Sequence, residues 1–234
     1  SAGKRYANEG YFNGTNYDAN SLFASIEKQI TPRNSINFTA FFTPNSRGKN
    51  SPNTDETTAL TSTKYNSYWG FQDGLKRNAR SKTIVEPILM LNHYFKINDQ
   101  TNLNSSVLYQ FGKIANSNLD YQHANSPDPT YYRKMPSYYS SLYGKDNGEY
   151  SGAFTPDYDN AIKSEEQFLS NPQINWDAIY RANQNVILDS NGIVTSYEPA
   201  KSKYVLYEDR VDDKKVAATT TLNTQLTENT TLTA

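Results

Sequence analysis

The chain has 234 residues, a net charge of −1 from 23 basic and 24 acidic residues, no cysteine, two histidines and 19 tyrosines. This balanced, interspersed charge excludes the electrostatic field that recruits nucleic acid, and the missing cysteines exclude disulfides, thiolate nucleophiles and cysteine-ligated zinc. No apolar run reaches the roughly 18 residues of a spanning helix. A mean hydropathy of −0.80 still leaves open a barrel, where only every second strand residue must be apolar.

Taken in chain order, the sequence predicts about six strands separated alternately by tight turns and very long insertions. Along 21–31, Leu22, Ala24, Ile26 and Ile30 share one face, while Phe23, Ser25, Glu27 and Gln29 share the other. After the turn Thr31-Pro32-Arg33-Asn34, the return strand 35–44 sets Ile36, Phe38, Ala40 and Phe42 against Asn37, Thr39, Phe41 and Thr43. This period of two is the strand signature. A first long outer loop, 45–82, carries Tyr65, Tyr68, Trp69, Arg77 and Arg80.

The second hairpin pairs 83–97 with 101–114 around Asn98-Asp99-Gln100-Thr101, and its apolar face holds Leu89, Leu91, Phe95, Leu103, Val107, Tyr109 and Phe111. A second outer loop, 115–202, carries Tyr131, Tyr132, Arg133, Tyr138 and Tyr139. It is too long to lack structure of its own. Helical segments are expected at 164–170 and 175–185, where Asn175 can cap and Trp176, Ile179 and Tyr180 fall at helical spacing. Strands at 203–226 and 230–234 close the series around Thr227-Glu228-Asn229-Thr230. Short turns on one side and long aromatic loops on the other are the asymmetry of an outer-membrane barrel. A soluble sandwich also alternates, but favours short connections.

Motifs strung along the chain resemble the barrel of TonB-dependent outer-membrane receptors of Bacteroidota. They include Gly14-Thr15-Asn16-Tyr17-Asp18-Ala19, Tyr65-Asn66-Ser67-Tyr68-Trp69-Gly70, Gly74-Leu75-Lys76-Arg77-Asn78-Ala79-Arg80, Tyr109-Gln110-Phe111-Gly112-Lys113, Ile174-Asn175-Trp176-Asp177 and Tyr204-Val205-Leu206-Tyr207-Glu208-Asp209-Arg210. The resemblance implies an all-β fold: residues 1–234 as a section of a transmembrane antiparallel barrel, with two extracellular loops containing short helices. It also implies uptake of a nutrient (glycan, siderophore or peptide) across the outer membrane of a Gram-negative bacterium. Partners would be outer-membrane lipid, a TonB energy-coupling complex reached through an N-terminal plug, and a surface lipoprotein. Neither plug nor TonB box is recognisable, and the chain reads as an internal section of a longer polypeptide.

The loop aromatics are candidate stacking platforms for a polar ligand. They serve equally to pack the loops together. Arg77, Arg80 and Arg133 are candidates for gripping carboxylates or phosphates. Asp146-Asn147-Gly148-Glu149 and Asp189-Ser190-Asn191-Gly192 resemble fragments of calcium loops, but Asn-Gly signals a turn first. No cofactor, metal site or catalytic residue is expected: His93 lies within a strand face, His123 in a loop, and no nucleophile motif is present. Two further readings stay open, a soluble all-β carbohydrate-binding module and a barrel with a structural or assembly role.

Overall fold

The computed structural model describes residues 1–122, 124–141, 143–146, 149–154, 156–199 and 201–234. His123 and part of the fragment 146–149 lie outside the described residues. The chain begins with β1 (Ala2–Ala7), β2 (Tyr17–Thr31), β3 (Asn34–Phe42) and β4 (Asn45–Gly48), followed by helix α1 (Asp55–Leu60). Next come the hairpin β5 (Trp69–Gln72) and β6 (Leu75–Asn78), then β7 (Ser81–Val85), β8 (Ile88–Lys96) and β9 (Thr101–Asp120). The second insertion holds α2 (Pro136–Ser140), β10 (Tyr143–Asp146), β11 (Glu149–Phe154), α3 (Tyr158–Ser170), α4 (Trp176–Ala182), β12 (Gln184–Leu188) and β13 (Val194–Pro199). The long β14 (Val205–Thr227) and short β15 (Thr230–Thr233) end the chain.

The fold is therefore all-β, and its main sheet is an antiparallel meander. β3 and β4 behave as one strand broken at Thr43-Pro44, and β7 and β8 as one strand broken at Glu86-Pro87. Neither break shifts the register. Phe41 pairs with Ile88 and Asn45 with Ile84, while Ile88 pairs with Gln110 and Val85 with Lys113. Proline has no N–H to give the ladder, so its ring opens each strand without moving it. Read this way, β1, β2, β3/β4, β7/β8, β9, β14 and β15 lie side by side in chain order, and among the described residues the sheet does not close on itself.

Two details differ from the sequence reading. β1 is a seventh strand: Ala2-Gly3-Lys4-Arg5-Tyr6-Ala7 lacks alternating apolar residues, and only its pairing with β2 reveals it. The strands also outrun their apolar stretches, so that 45–48, 81–82 and 115–120, expected in loops, belong to the sheet. Backbone pairing sustains these extensions where apolar patterning has ended: β9 and β14 stay in register from Thr101–Thr224 to Asp120–Val205.

Cross-strand partners share a face, and the two faces differ in chemistry. One row runs Ile26, Phe38, Leu91, Val107 and Ala218 across five neighbouring strands; the adjacent row on the opposite face runs Glu27, Asn37, Asn92, Ser106 and Thr219. The polar face knits itself together, with Asn37 donating to Ser25 at 3.0 Å, Thr39 to Asn37 at 2.8 Å and Asn92 to Asn37 at 3.0 Å. Among the described residues nothing covers the apolar face: Ile26 and Val216 remain 70% exposed. The turns gather at one end, where the Lys96 N–H donates to the Arg33 carbonyl and the Gln225 N–H to the Gln100 carbonyl.

At the opposite limit of the apolar band sits Gly112, with φ of +144°, against the break between β7 and β8. A Cβ there would lie 1.9 Å from the Val85 carbonyl oxygen and 2.9 Å from the Glu86 Cα. No side chain fits both that backbone angle and that space. Gly112→Ala is expected to cost about 3 kcal/mol by combining strain and clash, read as a lowered urea midpoint.

Candidate functional site

The buried core lies mainly in the insertions and at the loop ends of the strands, where Ala115 of β9 is also buried. One cluster joins Ala79, Ile174, Trp176 and Ile179, with Leu119 and Tyr204 packed against it; another joins Tyr65, Met135 and Phe168 with Leu60. These residues come from both insertions and from the loop ends of the strands, so the two loops form one folded unit. The β5 strand makes the closest contact: the Ile174 N–H donates to the Trp69 carbonyl at 3.0 Å, and a Cβ on Gly70 would fall 1.8 Å from the Ile174 oxygen. The Trp176 indole N–H donates to the Arg77 carbonyl at 3.2 Å.

Helices α3 and α4 start where local chemistry allows. Asp157 accepts from the Asn160 N–H at 3.0 Å, and Asn175 accepts from the Ala178 N–H at 2.8 Å, each satisfying an orphan donor of the first turn. α3 turns Ala161, Ser164 and Phe168 inward. Glu56 reaches from α1 to accept from both the Ser137 N–H and hydroxyl at 2.7 Å, tying the first insertion to the start of α2.

Two asparagines hold this unit together, and the sequence reading missed them. Asn66 is fully buried. Its amide donates to the Asn13 carbonyl at 2.9 Å and the Lys49 carbonyl at 3.1 Å, and its oxygen accepts from the N–H groups of Ser51 at 2.9 Å and Tyr68 at 3.1 Å. Asn78 donates to the Gly14 carbonyl at 3.0 Å and the Lys49 carbonyl at 2.8 Å. Asparagine in sequence signals a turn, and nothing local distinguishes one that bridges three segments.

The candidate ligand residues divide by environment. Tyr65 and Trp69 are 3% and 6% exposed and belong to the loop packing. Arg77 lies 4.2 Å over the Trp176 ring and donates to Gln72 at 2.5 Å and to the Tyr180 hydroxyl at 2.8 Å. That bond holds the Tyr180 hydroxyl below the ordinary tyrosine range. Tyr131, Tyr132, Tyr138 and Tyr139 form a chain of edge-on rings with centroids 4.9, 5.5 and 5.2 Å apart, and Arg133 donates to the Tyr132 hydroxyl at 2.8 Å. Arg80 lies 4.5 Å over the Tyr68 ring. The structure thus brings Tyr68, Arg80 and Tyr131 to one cleft of about 200 Å³, while Arg133 and Tyr139 border a neighbouring cleft of about 310 Å³.

The other motifs resolve into local structure. Asp189 accepts from the N–H groups of Asn191 at 2.9 Å and Ile193 at 2.8 Å, closing the β12–β13 turn with its carboxylate. His93 sits 3.0 Å from the Asn34 side-chain oxygen and stacks on Phe95. No helix among the described residues is long and apolar enough to cross a membrane, which says nothing of strands. No family model, no curated protein and no solved structure matches the chain.

Asn66→Ala leaves the N–H groups of Ser51 and Tyr68 and the Asn13 carbonyl without this partner, while Asn78 still holds the Lys49 carbonyl; it is expected to cost about 3 kcal/mol, seen as faster proteolysis of the loop unit with the sheet retained. Tyr65 gives a pH signature. Its hydroxyl donates to the Pro172 carbonyl at 2.5 Å, and burial first, then the Asp128 charge, push its pKa above the ordinary 10.0. The unfolded chain therefore loses this proton first: the contribution is full below about pH 10 and is lost as the pH rises above it. Tyr65→Phe is expected to cost about 1 kcal/mol at neutral pH and to flatten the alkaline fall of the denaturation midpoint.

Proposed function

We propose that this chain is a section of an outer-membrane β-barrel of the TonB-dependent receptor type, whose outer loops capture a nutrient for import. One observation carries the reading: among the described residues, a single-layer sheet has one apolar face with no protein layer against it and one polar face bonded to itself. In water, an uncovered apolar face of this extent is a liability. In a bilayer it meets hydrocarbon, and the polar face lines the lumen.

The dimensions agree. Leu22 to Ile30 and Leu103 to Phe111 span nine residues each, about 30 Å of strand at the usual rise, which suits a tilted crossing. Tight turns at one end and a folded, aromatic-rich loop unit at the other match the periplasmic and extracellular ends of such barrels. The partners of this reading are outer-membrane lipid, a TonB complex engaged through a plug, a surface lipoprotein and the nutrient itself. Its sequence support is the resemblance of the motifs from Gly14 to Arg210.

The test is fractionation of the source cells. The polypeptide carrying these residues is expected in the outer membrane, resistant to carbonate washing and released only by detergent. Recovery in solution without detergent overturns the proposal and favours the soluble module, whose apolar sheet face a second protein layer would cover. A paired substitution sharpens the test. Val107→Lys on the apolar face is expected to destabilise the inserted protein by about 2–4 kcal/mol, and Ser106→Lys on the polar face far less. Equal effects in urea titrations count against lipid contact.

A further inference from the structure

The three candidate arginines, Arg77, Arg80 and Arg133, carry guanidinium groups able to grip an anion, but their environments differ. Arg77 already spends donors on Gln72 and Tyr180, and Arg133 on Tyr132. Among the described residues the Arg80 guanidinium has no hydrogen-bond or carboxylate partner. Its face lies 4.5 Å over the Tyr68 ring, which fixes the plane of the fork and leaves its edge donors available.

This group borders the cleft of about 200 Å³ whose other walls include Asn118, Tyr121, Asp128 and Tyr131. The cleft is built in advance. Lys134 donates to the carbonyls of Ser126 at 2.6 Å and Asp128 at 3.1 Å, the Tyr204 hydroxyl donates to the Asn125 carbonyl at 2.9 Å, and buried Ala79 and Ile174 form its floor. Asp128 accepts from the Thr130 N–H and hydroxyl through one oxygen, both at 2.9 Å, leaving the second oxygen as an acceptor.

We propose that this cleft binds a hexuronic acid unit of a glycan. The Arg80 fork takes the ring carboxylate in a bidentate pair, the Asp128 carboxylate accepts from ring hydroxyls, and the tyrosine rings receive the apolar face of the sugar. Asp128 decides between anionic ligands. A fixed negative charge in so small a cleft repels phosphates and acidic peptides with several charges, yet accepts the hydroxyls of a singly charged sugar. The volume admits about one ring, below the usual range for drug-sized ligands. This inference rests on reading the loops as a capture surface, and it is independent of whether the sheet lies in lipid.

The test is saturation-transfer NMR on the detergent-solubilised chain, with galacturonate, galactose and triglutamate as probes. Galacturonate is expected to bind about tenfold or more tightly than galactose, and Arg80→Gln to abolish that preference, in line with the strength of a charge-assisted pair. Arg80→Lys restores charge without the fork and is expected to recover only part of it. If Arg80→Gln perturbs the fold, Tyr121→Ala serves instead, since Tyr121 is 40% exposed; it should weaken both sugars. Equal binding of galactose and galacturonate, unchanged binding in the Arg80 variants, or tighter binding of triglutamate overturns the assignment. Failure here with the polypeptide still in the outer membrane removes the sugar-acid site alone, and loss of the membrane location with galacturonate binding retained removes the barrel reading alone.

Discussion

Because the main sheet keeps one antiparallel register from Gln29–Ser35 near the turns to Tyr17–Arg47 near the loops, the face of every strand residue is settled along the whole length. A slip of one residue would move each apolar side chain to the polar face. The breaks at Pro44 and Pro87 preserve this order because they interrupt hydrogen bonds without inserting residues. Gly112 gives room beside the second break. Extensions of β9 and β14 beyond the apolar band then carry the same register as far as the second insertion.

Two kinds of burial follow from this arrangement. The sheet offers its apolar side chains outward and gains its internal cohesion from ladder bonds and from the amide and hydroxyl network around Asn37. The loop unit does the reverse, enclosing Trp176, Phe168 and Tyr65 behind a polar surface as a small soluble domain does. Its interior is sparse in aliphatic residues, so buried side-chain amides replace part of the packing. Asn66 fills all four of its hydrogen-bonding positions, which is the condition under which a buried polar group ceases to be a liability.

The legible parts of the sequence were those governed by local rules. Alternation from Leu22 to Ile30 and from Leu103 to Phe111 marks strands, and Asn175 before Trp176 marks a helix start that α4 uses. Asn191-Gly192 marks a turn, and β12 and β13 pair around it. What escaped depends on contacts distant in sequence. β1 exists because β2 offers it an edge, and the segment 115–120, expected in a loop, is strand because it pairs with 205–210 despite Asp209.

The same division explains why candidate ligand residues could be listed but not ranked. Tyrosine and arginine on a long loop have identical sequence credentials whether they pack, pair or stay free. Trp176, 99 positions from Arg77, occupies that guanidinium with its ring, whereas Tyr68, 12 positions before Arg80 in the chain, supports its guanidinium from behind and leaves its edge open. Which arginine can receive a ligand is decided by where the second insertion lays down Trp176 and Tyr180. That placement in turn depends on Ile174 meeting the bare backbone of Gly70. The chemistry of the loop surface is therefore set by one close backbone approach within its core, and only a folded chain displays it.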